Sequence, residues 1–185
     1  MNQLAPQRLT VEEFIVWSQA QPNGRYELEE GRIITMAPET VGHIRVKYRV
    51  IKALDAAIVT SGLDVFPLTD GATIRINPKT AYEPDAMVYA GPELPDHVIE
   101  IAHPVIVVEV LSPSSGTRDS SQKLKNYFKV DTIQHYLIVD PENRLVVHHR
   151  RGTQSAFMTE IISEGTLTLD PPGLALTVTD FFPAI

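Results

Sequence analysis

The segment Pro104-Val-Ile-Val-Val-Glu-Val-Leu-Ser112 places one carboxylate, Glu109, inside a run of β-branched residues. A short apolar run followed by Ser-Pro-Ser-Ser-Gly reads as a buried strand that ends in a loop. A carboxylate in such a strand is costly unless it is paired with a cation or bound to a metal. Candidate partners lie on both sides in sequence: Glu83-Pro-Asp85 upstream, and Asp119 and Lys123 downstream. Two acids and a lysine in this order are the parts of a metal-dependent phosphodiesterase site. The acids would hold a hard divalent cation, the cation would activate a water, and the lysine would offset charge in the transition state.

The elements that must position these groups follow from local pattern. Thr10-Val-Glu-Glu13 is a capping box and predicts a short helix to about Gln19. Tyr26-Glu-Leu-Glu and Arg32-Ile-Ile-Thr-Met flank Glu30-Gly31 as a tight hairpin. Ile44, Tyr48, Ile51, Leu54 and Ile58, spaced by three and four, predict a helix over 41–61 with Gly62 as its stop. Strands are expected at 63–67 and 72–76, joined by an Asp70-Gly71 turn, and at 85–89. After the Glu109 strand comes an amphipathic helix over 117–130, then an apolar strand over 133–139 that makes a hairpin with 144–150. If the strands around that helix are parallel, the helix is their right-handed crossover. Asp119, Lys123 and Tyr127, spaced by four, then form one stripe, and Lys123 can point towards Glu109. Alternating Thr and Leu at 166–169, a Pro171-Pro-Gly turn, a segment over 174–178 and Phe181-Phe182 complete the chain.

Composition bounds the rest. The 185 residues carry 43% hydrophobic and 21% charged side chains, which suits one globular domain over 1–185. No cysteine is present, so thiol nucleophiles, disulfides and cysteine zinc sites are excluded, and a reducing cytoplasm suits the chain. No stretch reaches the length of a membrane span, and the N-terminus lacks the apolar core of a signal peptide. The net charge of −7 argues against general nucleic-acid binding. Yet Arg45, Lys47, Arg49 and Lys52 cluster within eight residues, and Arg118, Lys123, Lys125 and Lys129 within twelve. Such local basic surfaces suit a focused phosphate site; solvated helix faces are the plainer reading.

Taken in order, Glu-Pro-Asp85, Val-Glu109-Val-Leu-Ser-Pro-Ser, Asp119-x-x-x-Lys123-x-x-x-Tyr127 and His135-Tyr-Leu-Ile-Val-Asp140-Pro resemble the restriction-endonuclease-like superfamily with the PD-(D/E)XK core. More narrowly, they resemble the bacterial family of endonucleases labelled Uma-two. The Tyr26–Gly31 hairpin, His43 on the long helix and the ending Pro172-Gly-Leu-Ala-Leu fit the same family, so the resemblance covers nearly the whole chain. It implies an α/β fold with a restriction-endonuclease-like core. A central mixed β-sheet would be flanked by helices, with an extra N-terminal helix and hairpin and C-terminal strands. It also implies hydrolysis of phosphodiester bonds with Mg²⁺ or Mn²⁺. Carried over, Asp85 and Glu109 are the metal ligands, joined by the main-chain carbonyl of Val110, and Glu27 is the N-terminal acid. The pattern departs at the lysine: two residues past Glu109 stands Leu111, so Lys123 has to replace it, with Lys125 second. Tyr127, His43 and Arg118 are candidates for phosphate contact, and Ser112 and Asp119 for supporting hydrogen bonds. DNA is the expected partner, and a homodimer would let two sites address two strands.

Each residue also has a plainer reading. Asp85 after proline could start a strand, Glu109 could form a structural ion pair with Lys123, and His43 could be a helix histidine with a structural hydrogen bond. His135 reads as structural. His148 and His149, adjacent on a strand, point to opposite faces and cannot chelate one ion together. Glu29-Glu30 reads as an exposed turn. Two other functions stay open: a non-catalytic nucleic-acid-binding or interaction module, for which Leu111 speaks, and a metal-dependent phosphoesterase with another substrate. Serine hydrolase and nucleotide-loop motifs are absent.

Overall fold

The structure, a computed structural model, describes residues 8–112, 117–153 and 156–183, with the backbone alone at 117–120. Helix α1 (Val11–Gln19) starts at Thr10, whose hydroxyl accepts from the Glu13 amide while the Glu13 carboxylate accepts from the Thr10 amide. This is the reciprocal cap that the sequence announces. Strands β1 (Tyr26–Glu29) and β2 (Arg32–Thr35) form an antiparallel hairpin. Its turn residues Glu30 and Gly31 have φ of 48° and 77°. A two-residue turn of this hand needs both in the left-handed region, and glycine takes one of them without steric cost.

Helix α2 (Val41–Ser61) is capped by the Thr40 hydroxyl, which accepts from the His43 amide, and stops at Gly62 with φ of 65°. Then follow β3 (Val65–Thr69), β4 (Ile74–Asn77), β5 (Thr80–Tyr82), β6 (Ala86–Ala90) and β7 (Pro104–Val110). Helix α3 (Thr117–Tyr127) leads to β8 (His135–Asp140), β9 (Leu145–Arg151) and β10 (Phe157–Ile162). A small hairpin of β11 (Thr166–Leu169) and β12 (Leu174–Thr177) and a 3-10 turn at Val178–Phe181 follow. The main sheet has the order β10-β9-β8-β7-β6-β3, and a second sheet the order β2-β1-β5-β4. Within the main sheet only β7 and β8 run parallel, with α3 as their crossover. The main sheet is therefore mixed, as expected. No helix among the described residues is long and apolar enough to cross a membrane.

The two faces of the main sheet have separate cores. On one, Val46, Val50, Leu54 and Ile58 of α2 pack with Val88, Val108, Leu137 and Phe181. On the other, Tyr127 and Phe128 at the end of α3 pack with Met87, Val107 and Tyr136. Alternation along β7 thus sends Val108 and Val110 towards α2, and Val107 towards α3. Glu109 points the same way as Val107, into the α3 side.

Three expectations are corrected. The segments flanking Asp70-Gly71 do not form a hairpin, because β3 pairs with β6 in the main sheet and β4 with β5 in the second. The buried stripe of α2 is His43, Val46, Lys47, Val50, Leu54 and Ile58, while Ile44 and Tyr48 are 50% and 65% exposed. Polar partners inside draw His43 and Lys47 inward and turn the apolar pair out. Helix α3 ends at Tyr127 rather than Val130. Strands β5 and β10 were not anticipated; β10 is a nearly fully exposed strand, with no period-2 burial to betray it.

The histidines of β8 and β9 form a buried polar pair. His135 donates from Nε2 to the Pro171 carbonyl at 2.8 Å, which leaves Nδ1 to accept from His148 Nε2–H at 2.8 Å. Burial, reinforced by His148, depresses His135 to about 4, and burial also lowers His148. Both are therefore neutral in the fold and bind protons more readily when unfolded. Their contribution is complete above pH about 6.5 and is lost as pH falls towards 4. Between pH 7.5 and pH 5, urea unfolding should register a loss of about 2 kcal/mol from His135. His135→Gln should flatten that slope; an unchanged slope would locate the acid sensitivity elsewhere.

Candidate active site

The cleft opens at the C-terminal end of β7, where α2 approaches from one face and α3 from the other. It has a volume of about 440 Å³, and its wall includes Glu27, Glu39, His43, Asp85, Glu109 and Lys123. Five candidate side chains with ionisable groups thus meet in one place, Glu27, His43, Asp85, Glu109 and Lys123, beside Val110 and Ser112. They arrive from β1, α2, the residue before β6, β7 and α3.

On the α3 side the centre is Lys123. Its ammonium donates to Glu27 Oε1 and to Glu109 Oε1, each at 3.0 Å, and lies 5.3 Å from the centroid of the Tyr82 ring. The Tyr127 hydroxyl donates to the same Glu109 oxygen at 2.6 Å. Glu27 also accepts from the Glu83 amide at 3.0 Å, which fixes β1 to the strand–turn before β6. Burial pushes the Glu109 carboxyl upward; Lys123 opposes this, and Glu27 and Asp85 reinforce it. Burial disfavours the Lys123 ammonium, but Glu109 and Glu27 outweigh it and hold the lysine charged.

On the α2 side the centre is Asp85, 6% exposed. Its Oδ2 accepts from the Val110 amide at 2.7 Å and lies 3.5 Å from His43 Nε2, while Oδ1 lies 3.3 Å from Lys47 Nζ. Burial raises Asp85, yet His43, the Val110 amide and Lys47 prevail and keep it below the ordinary carboxylate range. Lys47 also bonds Glu39 at 2.7 Å and Asp70 at 2.6 Å. Arg25 pairs with Glu39, with Asp70 at 2.8 Å and with Glu83 at 2.8 Å. Among the described residues, six carboxylates (Glu27, Glu39, Asp70, Glu83, Asp85 and Glu109) pair with the permanent cations Arg25, Lys47 and Lys123. Among the described residues, Glu39, His43 and Asp85 offer ligand atoms all within 4.8 Å of one another. The donor set therefore fits a divalent ion.

Some expectations change. The Val110 carbonyl is not open, because His43 Nε2 donates to it at 2.9 Å. Tyr127 is fully buried beneath the cleft, so it positions Glu109 and cannot reach a phosphate. Lys125, two residues past Lys123 and therefore on the far side of α3, is exposed and outside the cleft. The side chains of Arg118 and Asp119 lie outside the described residues. Ser112 does line the cleft. Glu39, Lys47, Asp70 and Arg25 belong to the site although no motif in the sequence marks them. For Lys47 a signal existed: the spacing 43, 47, 50, 54, 58 is one helical stripe, and its polar end marks where the core gives way to a site.

The chain is similar to several known proteins. A solved structure described as a putative nuclease belonging to DUF820, from Anabaena variabilis, superposes with a TM-score of 0.75 at 16% identity, over 94% of this chain and 97% of that one. That likeness bears out the expected α/β fold with its central mixed sheet. Two uncharacterized Synechocystis proteins are similar in sequence. The protein sll1609 is 26% identical over 84% of this chain and 89% of its own length, and slr1290 is 24% identical over 92% and 90%. The family model for Uma2, described as "putative restriction endonuclease", matches residues 11–179. The chain belongs to the Uma2 family.

Proposed function

We propose that this chain is a divalent-metal-dependent endonuclease, using Mg²⁺ or Mn²⁺ to hydrolyse phosphodiester bonds in DNA. The observation that carries this reading is the convergence of Asp85, Glu109 and Lys123 at the end of β7, within a family described as restriction endonucleases. Asp85 would hold the cation, with Glu109 beside it. When bound, the cation would polarise the phosphate and lower the pKa of an attacking water. Lys123 keeps its proton, so it acts as a fixed positive charge near the reacting phosphoryl oxygens. Glu27 and Tyr127 act through others: Glu27 anchors Lys123, and Tyr127 fixes the rotamer of Glu109. The exposed basic residues Arg45 and Lys52 of α2, Lys125 of α3 and Lys129 just beyond it supply charge for the backbone of the substrate on an otherwise acidic protein.

A second reading, a binding module on the same fold without turnover, is favoured by Leu111 at the usual lysine position and by the double ion pairing of Lys123.

Supercoiled plasmid and short single- and double-stranded DNA, incubated with Mg²⁺, Mn²⁺ or EDTA, separate the two. Wild type should cleave with metal and not with EDTA, and Asp85→Ala and Glu109→Gln should each lower the rate about 100-fold or more. Clean absence of cleavage in wild type together with retained oligonucleotide binding would support the binding module instead. Lys123→Met tests the lysine's role separately. It strands Glu27 and Glu109 without their cation and should lower stability by about 3 kcal/mol in urea unfolding. Adding Glu109→Gln should restore part of that stability but no cleavage; recovery of both would reduce Lys123 to a structural counter-ion.

A further inference from the structure

His43 is held in an unusual way for a helix histidine. Its Nε2 lies 2.9 Å from the Val110 carbonyl, an acceptor only, so that nitrogen carries the proton. In the neutral ring Nδ1 then holds a lone pair. Nδ1 is buried, has no hydrogen-bond partner, and faces Glu39 Oε2 at 3.5 Å. The residue is 8% exposed, so water does not readily serve that atom. A lone pair set against a carboxylate oxygen in a buried place is repulsive unless a positive centre lies between them.

A ring N–H donated to a main-chain carbonyl, with the other nitrogen left bare, is the arrangement by which proteins orient a metal-binding imidazole. The carbonyl here belongs to Val110, on the strand whose amide also holds Asp85 Oδ2. One peptide segment therefore orients both the imidazole and the carboxylate. Glu39, one turn before His43, supplies a donor 3.5 Å from Nδ1, and Asp85, whose Oδ2 lies 3.5 Å from Nε2, completes a group in which one ligand atom of each residue lies within 4.8 Å of the others. Lys47 already places positive charge beside both acids, contacting Glu39 at 2.7 Å and Asp85 at 3.3 Å.

We propose that the cation seat of this protein is formed by His43 Nδ1 with the carboxylates of Glu39 and Asp85, and that it favours a first-row transition ion such as Mn²⁺ over Mg²⁺. The proposal rests on the metal-dependent reading above and deepens it. An imidazole donor adds affinity for transition ions, whereas Mg²⁺ prefers an all-oxygen shell and keeps its waters. The seat replaces the Val110 carbonyl with an imidazole and leaves Glu109 to the Lys123 side of the cleft.

Binding, measured without substrate, tests this. Mn²⁺ and Mg²⁺ are titrated into the whole chain by calorimetry, with free Mn²⁺ followed by its electron paramagnetic resonance signal. Wild type should bind Mn²⁺ about tenfold more tightly than Mg²⁺. His43→Ala and Glu39→Gln should each weaken Mn²⁺ about tenfold or more, and more than Glu109→Gln does. Glu39→Gln preserves shape at a partly exposed position, so it remains informative if His43→Ala unfolds. Broadening of the His43 ring signals by sub-stoichiometric Mn²⁺ in NMR spectra would support the seat directly. Equal affinity for the two ions, or a loss confined to Glu109→Gln, would overturn the seat while leaving the nuclease reading in place. No binding at all would also overturn it, and the plasmid assay would then judge the nuclease reading alone. Mn²⁺ binding lost in His43→Ala, beside an absence of cleavage, would keep the seat and sink the nuclease.

Discussion

One ammonium group, that of Lys123, holds the molecule's central conflict in balance. Glu109 stands half-buried in a strand whose neighbours are valines, and Glu27 on β1 is buried more deeply. Neither would remain ionised alone in such surroundings. Lys123 bridges them at 3.0 Å each and thereby ties together β1, β7 and α3. The first lies far from the other two in the chain and belongs to a different sheet from β7. The contact is thus also part of how the small sheet is seated on the large one.

A second constraint, on the opposite side of β7, has the same logic with different chemistry. The Val110 peptide gives its N–H to Asp85 and its carbonyl to His43. A strand end normally leaves such groups to water or to a neighbouring strand. Here they orient an acid and an imidazole towards one point, so the termination of the ladder is itself a component of the site.

Much of this was legible in the chain. The valine run around Glu109, the crossover helix with its 119, 123, 127 stripe, and the parallel pair it connects all follow from periodicity and from the handedness of such connections. The site was legible where a charged residue broke an apolar pattern, as at Glu109. It was illegible where charge looked ordinary. Lys47 sits in a basic stretch between Arg45 and Arg49, so its charge reads as surface and only its place on the 43, 47, 50, 54, 58 stripe marks it as inward, where it is buried among Glu39, Asp70 and Asp85. Glu39 lies in a loop before a helix cap, where acids are commonplace. The apolar Ile44 and Tyr48 suggested the wrong inward face for the first turns of α2, because hydrophobic counting cannot see that carboxylates wait inside. The hairpin expected at Asp70-Gly71 failed for a related reason: turn chemistry is local, and the choice of sheet was made by partners well along the chain.

The main sheet ends on one side at β3 and on the other at β10. Pro67 lies in the middle of β3, paired with Val88 of β6. Proline is tolerated on an edge strand where its missing N–H would face outward, and there it denies a donor to any incoming strand. Strand β10 carries no such block and exposes Ile161 and Met158. Of the two borders of the main sheet, β10 is thus the one that leaves an uninterrupted row of main-chain donors and acceptors to an incoming strand.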